Sequence, residues 1–225
     1  MATVYSMIFK LTSFLSAWLL LVTAAVAEPL PTELRDDPFK LAQAVSKRTF
    51  GRINTEQEQL LAQPELLKEI VREELIPYAD YRFAAYKVIG QSELKKSSKE
   101  QRDRFVEAFK ENLIVTYAQL FTEYNGQKVA FLPGALSDEN YATVKTLIQE
   151  PGRPDISVDF KMRRNKKTGQ WLAYDMVAEN LSMLSQKEAE LRGLIRQQGL
   201  DAVTDLLIEK NQTKIEFQSE SEEAK

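Results

Sequence analysis

As far as Asn125-Gly126, apolar residues in this 225-residue chain recur at every third or fourth position, and beyond that point they recur at every second. A period near 3.6 places apolar side chains on one face of a helix, whereas a period of 2 places them on one face of a strand. Neither pattern can be buried well by the other backbone. The chain is therefore read as a helical first part followed by a sheet-forming part.

The helical part carries its own punctuation. Asp37-Pro38 reads as an N-cap followed by proline at the first helical position, and Phe39, Ala42, Val45, Thr49 and Ile53 form a stripe that continues towards Leu60 and Leu61. Pro64 opens a second helix with Leu67, Ile70, Val71 and Leu75 on one face, and Pro77 stops it. The tyrosine-rich run YADYRFAAYKVIGQ gives a third, closed near Gly90. Ser97 to Gln101 holds a capping box, and the stretch from there to Tyr124 is the longest helical pattern, with Phe105, Phe109, Leu113, Tyr117, Leu120 and Tyr124 on one face.

The strand part follows as QKVAFLP, YATVKTLIQ, DISVDFKMRR and QWLAYDMVAE, separated by turns at Pro133-Gly134, Pro151-Gly152 and Lys167-Thr168-Gly169. Four consecutive strands with hairpin-length connections predict an antiparallel sheet that needs helices over one face. A capping box at Ser185 to Glu188 then opens a helix with Leu191, Leu194 and Ile195, ending at Gly199, before a last short helix around Val203, Leu206 and Leu207. The expected fold is α+β: N-terminal helices packed on a curved four-stranded antiparallel sheet, with C-terminal helices behind. Residues 28–36 read as a linker, 37–210 as one domain, and 211–225 as an acidic flexible tail.

Ahead of the linker, LTSFLSAWLLLVTAAVA is an uncharged apolar run ending in Ala25-Val26-Ala27, the pattern of a cleaved secretory signal over residues 1–27. A membrane anchor is the rival reading, although the run is at the short end for a spanning helix and has no basic cluster after it. With no cysteine, the leader is not that of a lipoprotein and the exported chain forms no disulfide, which points to a soluble protein of the periplasm. After cleavage, 29 Lys plus Arg face 33 Asp plus Glu, a balance that does not favour nucleic acid, whose binding requires clustered cations.

The absence of histidine removes Ser-His-Asp and Cys-His nucleophile systems, and with the absence of cysteine it removes the usual zinc sites. An enzyme here would have to work with Asp, Glu, Tyr or Lys. The candidates lie in SVDFKMRRNKKTGQWLAYDMVAEN, where Asp159, Asp175 and Glu179 alternate with apolar rows. One reading makes Asp159 and Asp175 an acid and base pair, with Tyr174 or Tyr117 as hydrogen-bond donor. The other has the acids pairing with Lys161 and Arg163 across the hairpin on its solvated outer face. The basic run Lys161, Arg163, Arg164, Lys166 and Lys167 suits an anionic lipid surface or an acidic partner, and equally a soluble hairpin tip.

Taken in order, DPFKLAQAVSKRTF, ELLKEIVREELIPYADYRFAAYKVIG, EQRDRFVEAFKENL and GRPDISVDFKMRRNKKTGQWLAYDMVAENLSML resemble the MlaC or toluene-tolerance family of periplasmic phospholipid carriers. The likeness runs from about Asp37 to Leu207, and WLAYDMVAENLSM is its strongest block. The resemblance implies a cone like that of nuclear transport factor 2, with a deep apolar pocket for acyl chains and an exposed headgroup. It implies no enzyme activity, cofactor or metal. It further implies a monomer shuttling phospholipid between a lipoprotein-associated channel complex at the outer membrane and an inner-membrane complex of a lipid-binding ring and an ABC transporter. Strand phase and helix faces nominate the pocket wall: Leu75, Tyr81 and Val88; Phe109, Leu113 and Tyr117 on the central helix; and Val158, Phe160, Met162, Tyr174 and Met176 on the strands.

Overall fold

The computed structural model describes residues 28–217 apart from Ala135, and no side chain at 136 or 137; the expected signal at 1–27 lies outside the described residues. Helix α2, Pro38–Thr55, begins at the expected cap, the Asp37 carboxylate accepting from the N–H groups of Phe39 and Lys40 at 2.9 and 3.0 Å. The expected linker before it carries a one-turn helix, α1, Thr32–Arg35, and buries Leu30, whose N–H donates to the Tyr78 hydroxyl at 2.8 Å. The stripe towards Leu60 breaks at Glu56, so α3, Gln57–Ala62, is a separate short helix.

Helix α4, Leu66–Glu74, passes through a 3₁₀ turn, Ile76–Tyr78, into α5, Tyr81–Ile89, which is followed by α6, Gln91–Lys96. Gly90 holds φ +77°, a conformation in which other residues are strained, and turns the chain from α5 into α6. The 23-residue α7, Lys99–Phe121, starts at a full capping box of Ser98 and Gln101.

The antiparallel sheet has six strands, not four. The four expected segments form β1, Lys128–Phe131; β3, Tyr141–Gln149; β4, Ile156–Arg164; and β5, Trp171–Ala178. Two further strands of two residues each, β2, Leu136–Ser137, and β6, Leu181–Ser182, pair with β3 and β5. They escape sequence reading because two residues show no period. The order is β1-β3-β4-β5-β6, with β2 off the path.

A bulge at the β4–β5 pairing corrects the expected faces. Phe160 pairs with Met176 but Met162 pairs with Ala173, three residues away, so the alternation of β5 is broken between them. Trp171 and Ala173 thus join Met162, Ala142 and Val144 beneath Leu41 and Phe39 of α1 and α2's cluster. Tyr174 leaves the row of Met176 and meets Phe83 and Tyr141 edge-on, with ring centroids 5.3 and 6.3 Å away.

Helix α8, Met183–Gln198, has its N-cap three residues before the expected one at Ser185. Ser182 is the N-cap, accepting from the Ser185 N–H at 2.9 Å, and Asp175 of β5 accepts from the Ser182 hydroxyl at 2.7 Å and the Leu184 N–H at 2.9 Å. After α9, Leu200–Lys210, the chain does not fray at once. Ile215 is buried against α4 and α7, and its N–H donates to Glu65 at 2.8 Å, so the tail expected from Asn211 is docked as far as Phe217; the remainder lies outside the described residues.

Three apolar clusters hold these elements together. One joins α5, α7, α8 and α9 around Phe105 and Phe109, the second joins α2, α3, α4, α7 and Ile215, and the third seats α1 and α2 on the sheet. Between α2 and α4 lies a charged seam: the buried carboxylate of Glu74 is 2.8 Å from Arg48 and 3.3 Å from Arg52, which also reaches Glu56 and Glu73. Among the described residues no helix is long and apolar enough to cross a membrane.

Candidate functional site

Nine of the eleven nominated wall residues are spread over the three clusters. Val88 and Phe109 are buried in the first, with Tyr81, Leu113 and Tyr174 packed against it. Leu75 and Tyr117 pack against the second, and Met162 and Phe160 belong to the third. Val158 is 5% exposed, and Met176 is half-buried opposite Phe160. Leu75, Tyr81, Leu113, Tyr117, Phe160, Tyr174 and Met176 all retain accessible surface, while Val88, Phe109, Val158 and Met162 are closed off.

Tyr117, on the central helix, packs against the second cluster. Burial, with a smaller contribution from the charge of Asp175, pushes its phenol up to about 12, yet the side chain keeps accessible surface. Burial, then Asp175 and Tyr141, also raise the Tyr174 phenol.

The acids do not form the expected pairs. Asp175 is half-buried and both its oxygens are used at the start of α8. Lys161 donates to the Thr143 hydroxyl at 3.1 Å. Arg163 pairs with Asp80, the N-cap of α5, at 3.0 Å and lies 4.1 Å from the centre of the Phe83 ring. Asp159, level with Lys145 and Val177, has no hydrogen-bond partner among the described residues. Glu179 accepts from the Ser157 N–H at 2.6 Å on the surface.

The basic run is likewise divided. Arg164 donates to the Gly169 carbonyl at 2.7 Å and lies over Trp171, leaving Lys166 and Lys167 exposed at the hairpin tip with no ion pair among the described residues. Sequence reading assigned all five cations to one surface because it could not see Asp80, 83 positions away from Arg163.

Two surface clefts lie elsewhere. One of about 550 Å³ runs along α2 between Leu30, Lys47, Arg48, Arg52 and Glu56, and one of about 330 Å³ lies between α7 and the end of α9. Charged groups of the ion-pair networks stand in both linings, and none of the eleven nominated wall residues lines either cleft. Among the described residues no cluster of acidic side chains could hold a metal ion.

An antiparallel sheet covered by helices, with half-buried apolar side chains where the helical clusters and the sheet meet, defines an α+β protein. The chain belongs to the MlaC protein family, whose profile matches residues 43–209. It is 32% identical over 197 residues to the intermembrane phospholipid transport system binding protein MlaC of Haemophilus influenzae, covering 87% of this chain and 88% of that one. It is 27% identical over 132 residues to the toluene tolerance protein ttg2D of Pseudomonas putida, covering 59% and 60%. The phospholipid-binding protein of Ralstonia solanacearum, solved in complex with a phospholipid, shares the fold, with a TM-score of 0.68 and 19% identity over 78% of this chain and 97% of that one.

Proposed function

We propose that this chain is a soluble phospholipid carrier of the periplasm, exported by a cleaved signal at residues 1–27 and acting as a monomer. The observation that carries the proposal is the 32% identity, across 87% of the chain, to a binding protein of intermembrane phospholipid transport. The half-buried apolar side chains around the sheet support it. In this reading the sheet and helices form a cone like that of nuclear transport factor 2, and the seven nominated residues that keep accessible surface line its acyl-chain pocket, with Val88, Phe109, Val158 and Met162 packed behind them.

The physical task is to hide lipid tails from water. Two acyl chains hold roughly 30 methylene groups, and wetting them costs on the order of 24 kcal/mol at about 0.8 kcal/mol each. Covering the tails removes that barrier while the charged headgroup stays hydrated. The carrier exchanges lipid with an outer-membrane lipoprotein–channel complex and with an inner-membrane complex of a lipid-binding ring and an ABC transporter. Direction then follows from relative affinities at the two ends. Lys166 and Lys167 are the cations best placed to meet an anionic docking surface. An Asp/Tyr enzyme has less support, because Asp175 is committed to α8 and Asp159 has no tyrosine partner among the described residues.

Transfer of a fluorescent phospholipid between two vesicle populations tests the proposal. The rate should rise in proportion to protein concentration while no lipid product appears. Transfer no faster than the spontaneous rate would overturn the carrier reading.

A further inference from the structure

The chain's only Asn-Gly pair, Asn125-Gly126, lies in the turn between α7 and β1, and both residues are exposed. Gly126 holds φ +79°, and a side chain added there would meet nothing within 4 Å, so the space beside its backbone is open. The Gln127 side chain spans the turn: its Oε1 accepts from the Asn125 N–H at 2.8 Å and its Nε2 donates to the Glu123 carbonyl at 3.3 Å. Among the described residues neither the Asn125 carboxamide nor the Gly126 N–H has a hydrogen-bond partner. The other six asparagines are held or crowded. Asn54 lies within α2 and donates to the Tyr124 hydroxyl at 3.3 Å, and Asn112 is buried within α7. The Asn211 carboxamide bonds Asn112 and the Ala108 carbonyl, and that of Asn165 accepts from the N–H groups of Lys167 and Thr168. Asn140 and Asn180 are followed by Tyr141 and Leu181, whose side chains screen the backbone nitrogen that follows each asparagine.

We infer that Asn125 is a self-modification site, converting to aspartate and isoaspartate with no enzyme or cofactor. The backbone nitrogen of Gly126 gives up its proton to solvent base and attacks Cγ of Asn125. The N–Cγ bond forms, the Cγ–Nδ2 bond breaks, and Nδ2 takes a proton from water and leaves as ammonia. The five-membered imide so formed takes up one water molecule. Opening at one carbonyl gives aspartate; opening at the other gives isoaspartate, in which the main chain runs on through Cβ and Cγ. No electrons are transferred. Glycine suits the nucleophile's place because it has no Cβ to screen its nitrogen, and that nitrogen has no hydrogen bond to surrender first. Both products add a negative charge two residues beyond Glu123, and isoaspartate also lengthens the link between α7 and β1 by one main-chain carbon. The turn therefore records the age of each molecule in its charge and its backbone.

The test holds the purified protein at neutral and at mildly alkaline pH, folded and in urea. Samples taken over time are digested, and the peptide carrying residues 125 and 126 is quantified by mass spectrometry after chromatographic separation of its aspartate and isoaspartate forms. Asn125 should convert ahead of the other six asparagines, faster at the higher pH, and in the folded protein at a rate close to that in urea. Both products should appear, with one ammonia released for each conversion. Asn125→Gln should stop the reaction at this position, because the longer side chain would have to close a six-membered ring. An intact Asn125 in a sample where another asparagine has converted overturns the inference. Conversion far slower in the folded protein than in urea also overturns it, since the fold would then shield the site. Aspartate without isoaspartate overturns the imide route. The wild-type peptide is informative alone, so the test does not depend on the variant.

Discussion

Replacing Met176 by glutamate should separate the fold of this protein from its cargo. Met176 sits in the middle of β5, opposite Phe160 and in the row of Val158, and it is half-buried. In the empty protein a carboxylate at this position can reach water through the same accessible surface, so the variant loses only part of a methionine's burial, about 1 kcal/mol. With acyl chains against the wall, the carboxylate must give up its water and has no cation opposite it. Even a penalty of about 3–4 kcal/mol after relaxation lowers affinity by roughly two to three orders of magnitude. The assay is lipid content per protein by mass spectrometry, beside circular dichroism and a thermal melt, with Met176→Leu as a shape-conserving control. The expected result is a folded glutamate variant without lipid and a leucine variant with it. Val158→Glu is a less clean test, because Val158 is 5% exposed and a charge there attacks the fold itself. A folded Met176→Glu protein with wild-type lipid occupancy would refute the placement of the wall along this row.

Ile215→Ala should cost about 2–4 kcal/mol in urea unfolding, since the side chain is 3% exposed in the cluster of α4 and α7; no change would mean that the segment after α9 does not dock in solution. Asp175→Asn should cost about 1.5–3 kcal/mol by weakening two bonds to a charged acceptor at the start of α8, and an unchanged melting temperature would contradict that anchoring role. The Tyr117 phenol is pushed up to about 12 in the folded protein from an ordinary value of 10.0, so the unfolded chain loses this proton first as pH rises. Stability is therefore undiminished below pH 10 and falls between pH 10 and 12 by an amount on the order of 2–3 kcal/mol. Melting curves should show a smaller alkaline loss for Tyr117→Phe than for wild type, and equal losses would refute the burial of the phenol.

What could be read from the sequence was what local chemistry decides. The caps at Asp37 and Ser98 and the four longer strands are signalled by adjacent residues. The bulge in β5 was not legible, because Leu172, Tyr174 and Met176 keep a regular alternation on paper and only the pairing with Met162 shows the skipped residue. The start of α8 was misplaced for a related reason: Ser182 and Ser185 are both good caps, and the choice is made by Asp175 from a neighbouring strand. The polar composition after Asn211 concealed Ile215 and Phe217, whose burial depends on a groove between distant helices. At the site, the residue types were legible but their distribution over three clusters was not. The pairing of Arg163 with Asp80 likewise required the folded chain.

The most direct test of the central claim is mass spectrometry of organic extracts from the protein purified out of the periplasm without detergent. The carrier account predicts near-stoichiometric phospholipid, with chain lengths that report the depth of the pocket. A folded protein that is free of phospholipid as isolated, and that takes up none when offered vesicles, would contradict it.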